Sequence, residues 1–144
     1  MPDSRAAAIT LQSSDGTETS VQHMRGEVIH AGTGTYIRYE EPEQGPTGGT
    51  TRTTVIINKN ELKILRHGEI QSQQTFRPGE RLPGFYRSPL TTFQLSTDTK
   101  SLEIDTNVNG GSWSLKWAYD LYVYEELSGQ FTISLQIQEE IRTC

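Results

Sequence analysis

Between Ser112 and Gln138 the chain obeys a rule of two, and that rule limits what it can fold into more than any other feature. Trp113, Leu115, Trp117, Tyr119, Leu121 and Val123 occupy every second position, with Ser112, Ser114, Lys116 and Asp120 among the residues between them. Phe131, Ile133, Leu135 and Ile137 repeat the pattern, interleaved with Gln130, Thr132, Ser134, Gln136 and Gln138. Successive side chains of a strand point to opposite faces, so this period describes strands with one face buried and one solvated. Ser128 and Gly129 supply turn residues between the two runs, which predicts a hairpin closed at that dipeptide.

Similar runs cover the rest of the chain. A β-branched strand through Val55 to Ile57 is followed by a turn at Asn58 to Asn60, a strand carrying Leu62, Ile64 and Leu65, and a turn at His67 and Gly68. From Glu69 onward Ile70, Ser72, Gln74 and Phe76 share a face until Pro78 and Gly79 end the strand. Nearer the N-terminus, Ile9 and Leu11 lead to a turn at Asp15 and Gly16, then a long strand from Thr19 to Ala31 and another from Tyr36 to Glu41. Val21 and Val28 differ in parity, which a bulge near Gly26 would explain.

No stretch shows a sustained helical period, and the only candidate helix start is the short, polar N-terminus. Glu41 to Gly49, "EPEQGPTGG", reads as a flexible surface loop by composition. About eight to ten antiparallel strands in meander order leave two unpaired edges in an open sheet, and closure removes them. The expected fold class is therefore all-β, a closed antiparallel up-and-down β-barrel, with a two-sheet sandwich as the alternative. The length of 144 residues suits one domain, residues 1–144.

A net charge of −5 opposes a general role in gripping phosphate backbones. Trp113, Trp117 and Tyr119 alternate as core residues rather than forming an exposed stacking platform, so no nucleic-acid partner is expected. The charge is unevenly spread: Arg52 to Arg87 holds seven basic side chains and three acidic ones. That asymmetry fits solvated strand faces whose charges attract neighbouring strands, with a basic patch for an anionic ligand as the competing reading. Apolar runs are far too short to span a bilayer, and "MPDSRAAAITL" lacks the sustained apolar stretch of a signal peptide. No membrane partner and a cytoplasmic location are expected. Cys144 is the sole cysteine, so no internal disulfide can form, and a terminal thiol reads as incidental.

Catalytic patterns are missing. His23, His30 and His67 stand at no metal-type spacing, and the first two, seven positions apart, would fall on opposite faces of a regular strand, so no metal site is expected. The adjacent pairs Glu40–Glu41, Glu125–Glu126 and Glu139–Glu140 diverge on a strand, whereas Glu103 and Asp105 share a face that reads as solvent-exposed. No serine sits in a nucleophile elbow and no Cys/His pair is available. The glycine runs lack the lysine of a phosphate loop. No cofactor is expected, and an enzyme is the least favoured class.

Polar residues whose parity points inward remain. Arg66 shares a face with Leu62 and Ile64, Gln74 with Ile70 and Phe76, Thr97 with Phe93 and Leu95, and Tyr119 with Trp117 and Leu121; Tyr86 joins them if its strand keeps phase. An inward guanidinium is costly unless paired. Arg66 therefore either sits at a barrel mouth reaching solvent or a carboxylate, or meets a ligand carboxylate or phosphate that Gln74, Tyr86 and Thr97 orient. The stretch from Gln74 to Thr99, with Pro78, Pro83 and Pro89, reads first as a barrel corner or edge segment and second as a gripping site.

The segments "RHGEIQSQQTFRPG", "GFYRSPLTTFQLSTDT" and "WAYDLYVYEELSGQFTISLQIQE" resemble the YwiB family of bacterial proteins of unknown function. The resemblance rests on Arg66, Gly68, Gln74, Phe76 and Gly79, then Gly84, Tyr86, Pro89, Phe93, Leu95, Thr97 and Thr99, then Tyr119, Asp120 and Leu121, with "YIRYEE" from Tyr36 to Glu41 adding a fourth block. It implies a calycin-like, lipocalin-like barrel and carries no assigned activity; calycins in general hold small apolar ligands in the lumen. The leading expectation is a non-enzymatic protein that binds a small, partly apolar and in one version anionic molecule in its lumen through Arg66, Gln74, Tyr86, Thr97 and Tyr119. The alternative is a protein-interaction module or homo-oligomer using the outer face, where Tyr122 and Tyr124 are expected to point outward.

Overall fold

The computed structural model describes residues 3–32, 34–107 and 110–140; Cys144 lies outside them. Ten strands follow in chain order: β1 (Asp3–Ser14), β2 (Thr19–Ala31), β3 (Gly34–Glu40), β4 (Thr51–Asn58), β5 (Glu61–Gly68), β6 (Gln71–Phe76), β7 (Arg81–Arg87), β8 (Thr92–Asn107), β9 (Ser112–Val123) and β10 (Glu126–Glu139). Each pairs antiparallel with its sequence neighbours, and β1 pairs with β10, so the meander closes into a barrel. Closure leaves the sheet no edge strand. Among the described residues there is no helix, and so none long and apolar enough to cross a membrane.

The alternation seen in the sequence is the alternation of the wall. Trp113, Leu115, Trp117 and Tyr119 on β9 and Ile133, Leu135 and Ile137 on β10 are buried, while Ser114, Lys116, Gln136 and Gln138 are exposed. Val28, Ile37, Leu62 and Leu115 are wholly excluded from solvent, and Phe76 packs its ring 4.7 Å from that of Tyr119 and 5.6 Å from that of Trp117. Arg25, Arg38, Glu40 and Lys116 cover the outside, an arrangement opposite to the lipid-facing apolar band of a membrane barrel.

Three local expectations are corrected. The β9–β10 turn is Tyr124–Glu125, not Ser128–Gly129. Both turn residues have positive φ, +50° and +66°, and Val123 pairs with Glu126 across them, which makes a two-residue turn of the type whose twist matches the flanking strands. The register instead slips between Leu127 and Gly129, so the Ser-Gly pair serves a bulge. The bulge proposed near Gly26 is also absent. β1 and β2 pair without interruption from Asp3–His30 to Ser14–Thr19, and Val21 simply faces out, 52% exposed. Gly26 is small because the wall is tight there: a Cβ would lie 2.2 Å from the Arg38 carbonyl oxygen. Finally, the N-terminal segment is not a helix start but β1, held by ladders on both sides, with Ala7 fully buried.

The stretch from Gln74 to Thr99 is a corner. β6 and β7 pair only over Gln71–Gln73 against Phe85–Arg87, whereas β7 pairs with β8 along its whole length. Pro83 has no N–H to offer a ladder, and at Gly84 a Cβ would meet the Gln73 carbonyl oxygen at 2.1 Å. Where β7 leaves β6, the buried Thr97 hydroxyl donates to the Thr75 carbonyl at 2.6 Å and ties β8 directly to β6. Further along β8 the register slips between Thr99 and Ser101, so the buried parity passes from Leu95, Thr97 and Thr99 to Leu102 and Ile104.

Candidate functional site

The interior is unevenly filled. Toward the end of the barrel where β1 begins and β10 ends, apolar side chains such as Ala7, Val28, Trp113 and Ile137 pack it. Toward the other end lies a cavity of about 330 Å³, walled by Leu11, Val55, Ile64, Phe76, Trp117 and Leu135. That volume sits at the small end of the usual range for ligand sites.

Its polar rim is built by neighbouring strands. β3 delivers Tyr39 and, at its end, Glu41; β4 delivers Thr53, β5 Arg66, β6 Gln74 and β9 Tyr119. The inward guanidinium is answered from within the chain. Arg66 Nε donates to Glu41 Oε2 at 2.7 Å and Nη2 to Oε1 at 2.8 Å, a two-pronged pair, and the Thr53 hydroxyl donates to Oε2 at 2.7 Å. Burial pushes the Glu41 carboxyl up, but the hydrogen bonds from Arg66 and Thr53 and the Arg66 charge outweigh it and hold the group below the usual glutamate value. Burial likewise opposes the charge of Arg66, and the Glu41 carboxylate more than restores it. Burial dominates at the phenols: Tyr39 and Tyr119 are each pushed up to about 12, with Thr53 and Gln74 respectively offsetting part of the rise.

The loop from Glu41 to Thr50 is organised rather than loose. The Glu69 carboxylate accepts from the Thr47 amide at 2.6 Å and the Gly49 amide at 2.9 Å, and Glu41 N–H donates to the Thr51 carbonyl at 2.8 Å. Pro42 and Glu43 are thereby set against the cavity. Composition marked this segment as a flexible loop because glycine and proline dominate it; the distant Glu69 carried no sign in the sequence that it would tie the loop down.

Of the five residues singled out by parity, the structure brings Arg66, Gln74 and Tyr119 together at this cavity. Tyr86 and Thr97 are not among its lining residues. Tyr86 stacks on Phe93 with ring centroids 5.0 Å apart, and Thr97 is committed to the Thr75 carbonyl. Sequence reasoning missed Tyr39, Glu41, Thr53 and Gln22. Tyr39 and Glu41 share the parity of Ile37 and could have been found by extending that strand's pattern inward. The histidines do not converge: His23 and His67 lie exposed on outward positions, and among the described residues no three metal-ligating side chains cluster. Three of the seven basic side chains between Arg52 and Arg87 are spent on carboxylates of the chain itself, Arg66 on Glu41 as above and two others. Arg77 pairs with Glu61 at 2.5 Å and Glu80 at 3.3 Å, while Arg81 pairs with Glu125 at 3.1 Å and lies 3.7 Å over the Tyr122 ring.

Fold and interior together define a class, the closed ten-stranded antiparallel barrel with an apolar lumen and a polar mouth. Residues 7–135 match the family described as Domain of unknown function (DUF1934), and the chain belongs to that family. It is 30% identical over 88 residues to the uncharacterized beta-barrel protein YwiB of Bacillus subtilis (strain 168), a match covering 61% of this chain and 58% of that protein's length. The crystal structure of ywiB protein from Bacillus subtilis superposes with a TM-score of 0.75 at 19% identity, covering 97% of this chain and 94% of the other, a likeness of fold.

Proposed function

We propose that this protein holds a small, partly apolar molecule in the barrel lumen and performs no chemistry on it. The observation that carries the reading is the cavity of about 330 Å³, apolar in its walls and ringed by Tyr39, Thr53, Gln74 and Tyr119 at one end. A barrel of this size can fill its centre with side chains or leave room for one ligand, and here one half is filled while the other is open. Native mass spectrometry of protein purified without refolding, alongside a thermal-shift ligand screen, tests it. A retained adduct or stabilising hit that disappears in Ile64→Trp, designed to fill the cavity, is expected. A folded wild type with neither adduct nor hit across a broad apolar library removes the reading.

A second reading is an interaction surface at the β9–β10 tip, favoured by the exposure of Tyr124 at 67% and Leu127 at 55% on the same hairpin. It predicts a homodimer by light scattering that Tyr124→Ser/Leu127→Ser disperses. A strict monomer at high concentration removes it.

A further inference from the structure

Resting on the lumen reading, we infer that the ligand is uncharged, and that the Arg66–Glu41 pair is a neutralised fixture of the mouth rather than an anion receptor. The charged side chains lining the cavity are two carboxylates, Glu41 and Glu43, and one guanidinium, Arg66. Arg66 already gives two donors to Glu41, and Thr53 gives that carboxylate a third. A ligand carboxylate could only exchange places with Glu41. It would gain the bonds that Glu41 loses, and it would leave the displaced side chain and Glu43 as unmatched negative charges at the same opening. Like charges gathered at one opening repel, the half-buried Glu41 site most and the exposed Glu43 least.

The groups left for recognition are neutral. Gln22, Gln74, Ser13 and the phenols of Tyr39 and Tyr119 line the cavity, and each can both donate and accept a hydrogen bond. Both phenols are held protonated far above neutral pH, so neither adds charge in ordinary conditions. Facing them are the apolar walls and the Phe76 and Trp117 rings. The matching ligand class is an apolar skeleton carrying an uncharged donor and acceptor, such as a carboxamide or an alcohol.

Three isosteric probes separate the possibilities: naphthamide, naphthoate and isopropenylnaphthalene, titrated calorimetrically into the folded wild type. The amide is expected to bind tightest and naphthoate at least about tenfold more weakly than the amide. Glu41→Gln removes one carboxylate and frees Arg66, so naphthoate is expected to gain about tenfold there while the amide changes little. Naphthoate binding as tightly as the amide in the wild type, or a preference that Glu41→Gln leaves unmoved, overturns the inference while the lumen reading stands. Binding by none of the three counts against the lumen reading itself and takes the inference with it. The wild-type ranking decides the matter even if the variant is poorly folded.

Discussion

The turn at Tyr124–Glu125 offers a test in which two accounts of the C-terminal hairpin predict opposite signs. Neither turn residue is glycine, asparagine or aspartate, yet both have positive φ. A side chain in that region costs roughly 1 kcal/mol per residue relative to the right-handed basin, and asparagine followed by glycine is the sequence that tolerates it best. Tyr124→Asn/Glu125→Gly should therefore recover up to about 2 kcal/mol of strain. What it removes is small. The Tyr124 hydroxyl reaches the Thr92 carbonyl only at 3.4 Å, the weak limit of a hydrogen bond, and Glu125 pairs with Arg81 at 3.1 Å while 89% exposed. Together those contacts are worth about 1 kcal/mol at most.

The net expectation is stabilisation by about 1 kcal/mol, a rise of about 3 °C in Tm for a chain of this size, with an unchanged urea m-value. Were the hairpin closed at Ser128–Gly129 instead, positions 124 and 125 would be strand interior. The same double substitution would then destabilise by about 1 kcal/mol, since asparagine and glycine are poor there. Urea titration followed by tryptophan fluorescence reads the sign directly, because Trp113 and Trp117 sit in the core of the same hairpin. A loss of stability refutes the assigned register.

Glu41→Ala leaves the partly buried Arg66 without its carboxylate and should cost about 2–3 kcal/mol by chemical denaturation, below the cost for a fully buried pair because both partners keep some solvent. Because the folded state depresses the Glu41 carboxyl, its contribution is present above the unfolded glutamate value of about 4.3 and is lost as pH falls through the lower folded value. Glu41→Gln should accordingly flatten the acid limb of the stability curve. Tyr39 and Tyr119 act at the other extreme. With folded values of about 12 against about 10 unfolded, each favours the folded state at and below pH 10 and loses about 2–3 kcal/mol as pH rises from there to about 12. Tyr119→Phe should remove one share of that alkaline loss, and phenolate absorbance in the folded wild type should lag behind that of the unfolded chain. Thr97→Val deletes the bridge to the buried Thr75 carbonyl and should cost about 1–3 kcal/mol, whereas Thr97→Ser, which keeps the hydroxyl, should cost less.

Residues on uninterrupted strands were legible because parity propagates along a ladder. Once Trp117 is inside, Tyr119 and Leu121 follow, and the same step along β5 takes Leu62 and Ile64 to Arg66. Parity fails where a residue is inserted or where the wall departs from a simple cylinder. Lys100 lies at the slip that moves the buried set of β8 by one position, and nothing in "STDTKSLE" distinguishes it from its neighbours. Thr97 does point inward, but at the place where β7 parts from β6, so its hydroxyl serves the wall rather than the lumen. The Ser128–Gly129 dipeptide misled because turn-prone residues also suit bulges, and local composition does not separate the two. Ala6 to Ala8 gave no strand signal because alanine is a weak β former; the segment becomes a strand because β2 and β10 both need a partner to close the barrel.

The ion pair at the mouth shows why a site can be half visible. Arg66 announced itself through parity and through the physical demand that an inward guanidinium be matched. The matching carboxylate lies 25 residues earlier, on the last inward-facing step of a strand as it passes into a loop that composition alone made look unstructured. Two constraints fix that carboxylate in place, the Glu41 amide on the Thr51 carbonyl and the Thr53 hydroxyl on its oxygen, and both come from residues of β4 rather than from any ligand. A guanidinium held by the scaffold in this way contributes to shape and stability whether or not the lumen is occupied. Specificity then falls to the neutral polar groups around that pair, so the lumen should read the outline and hydrogen-bonding pattern of a guest more closely than its charge.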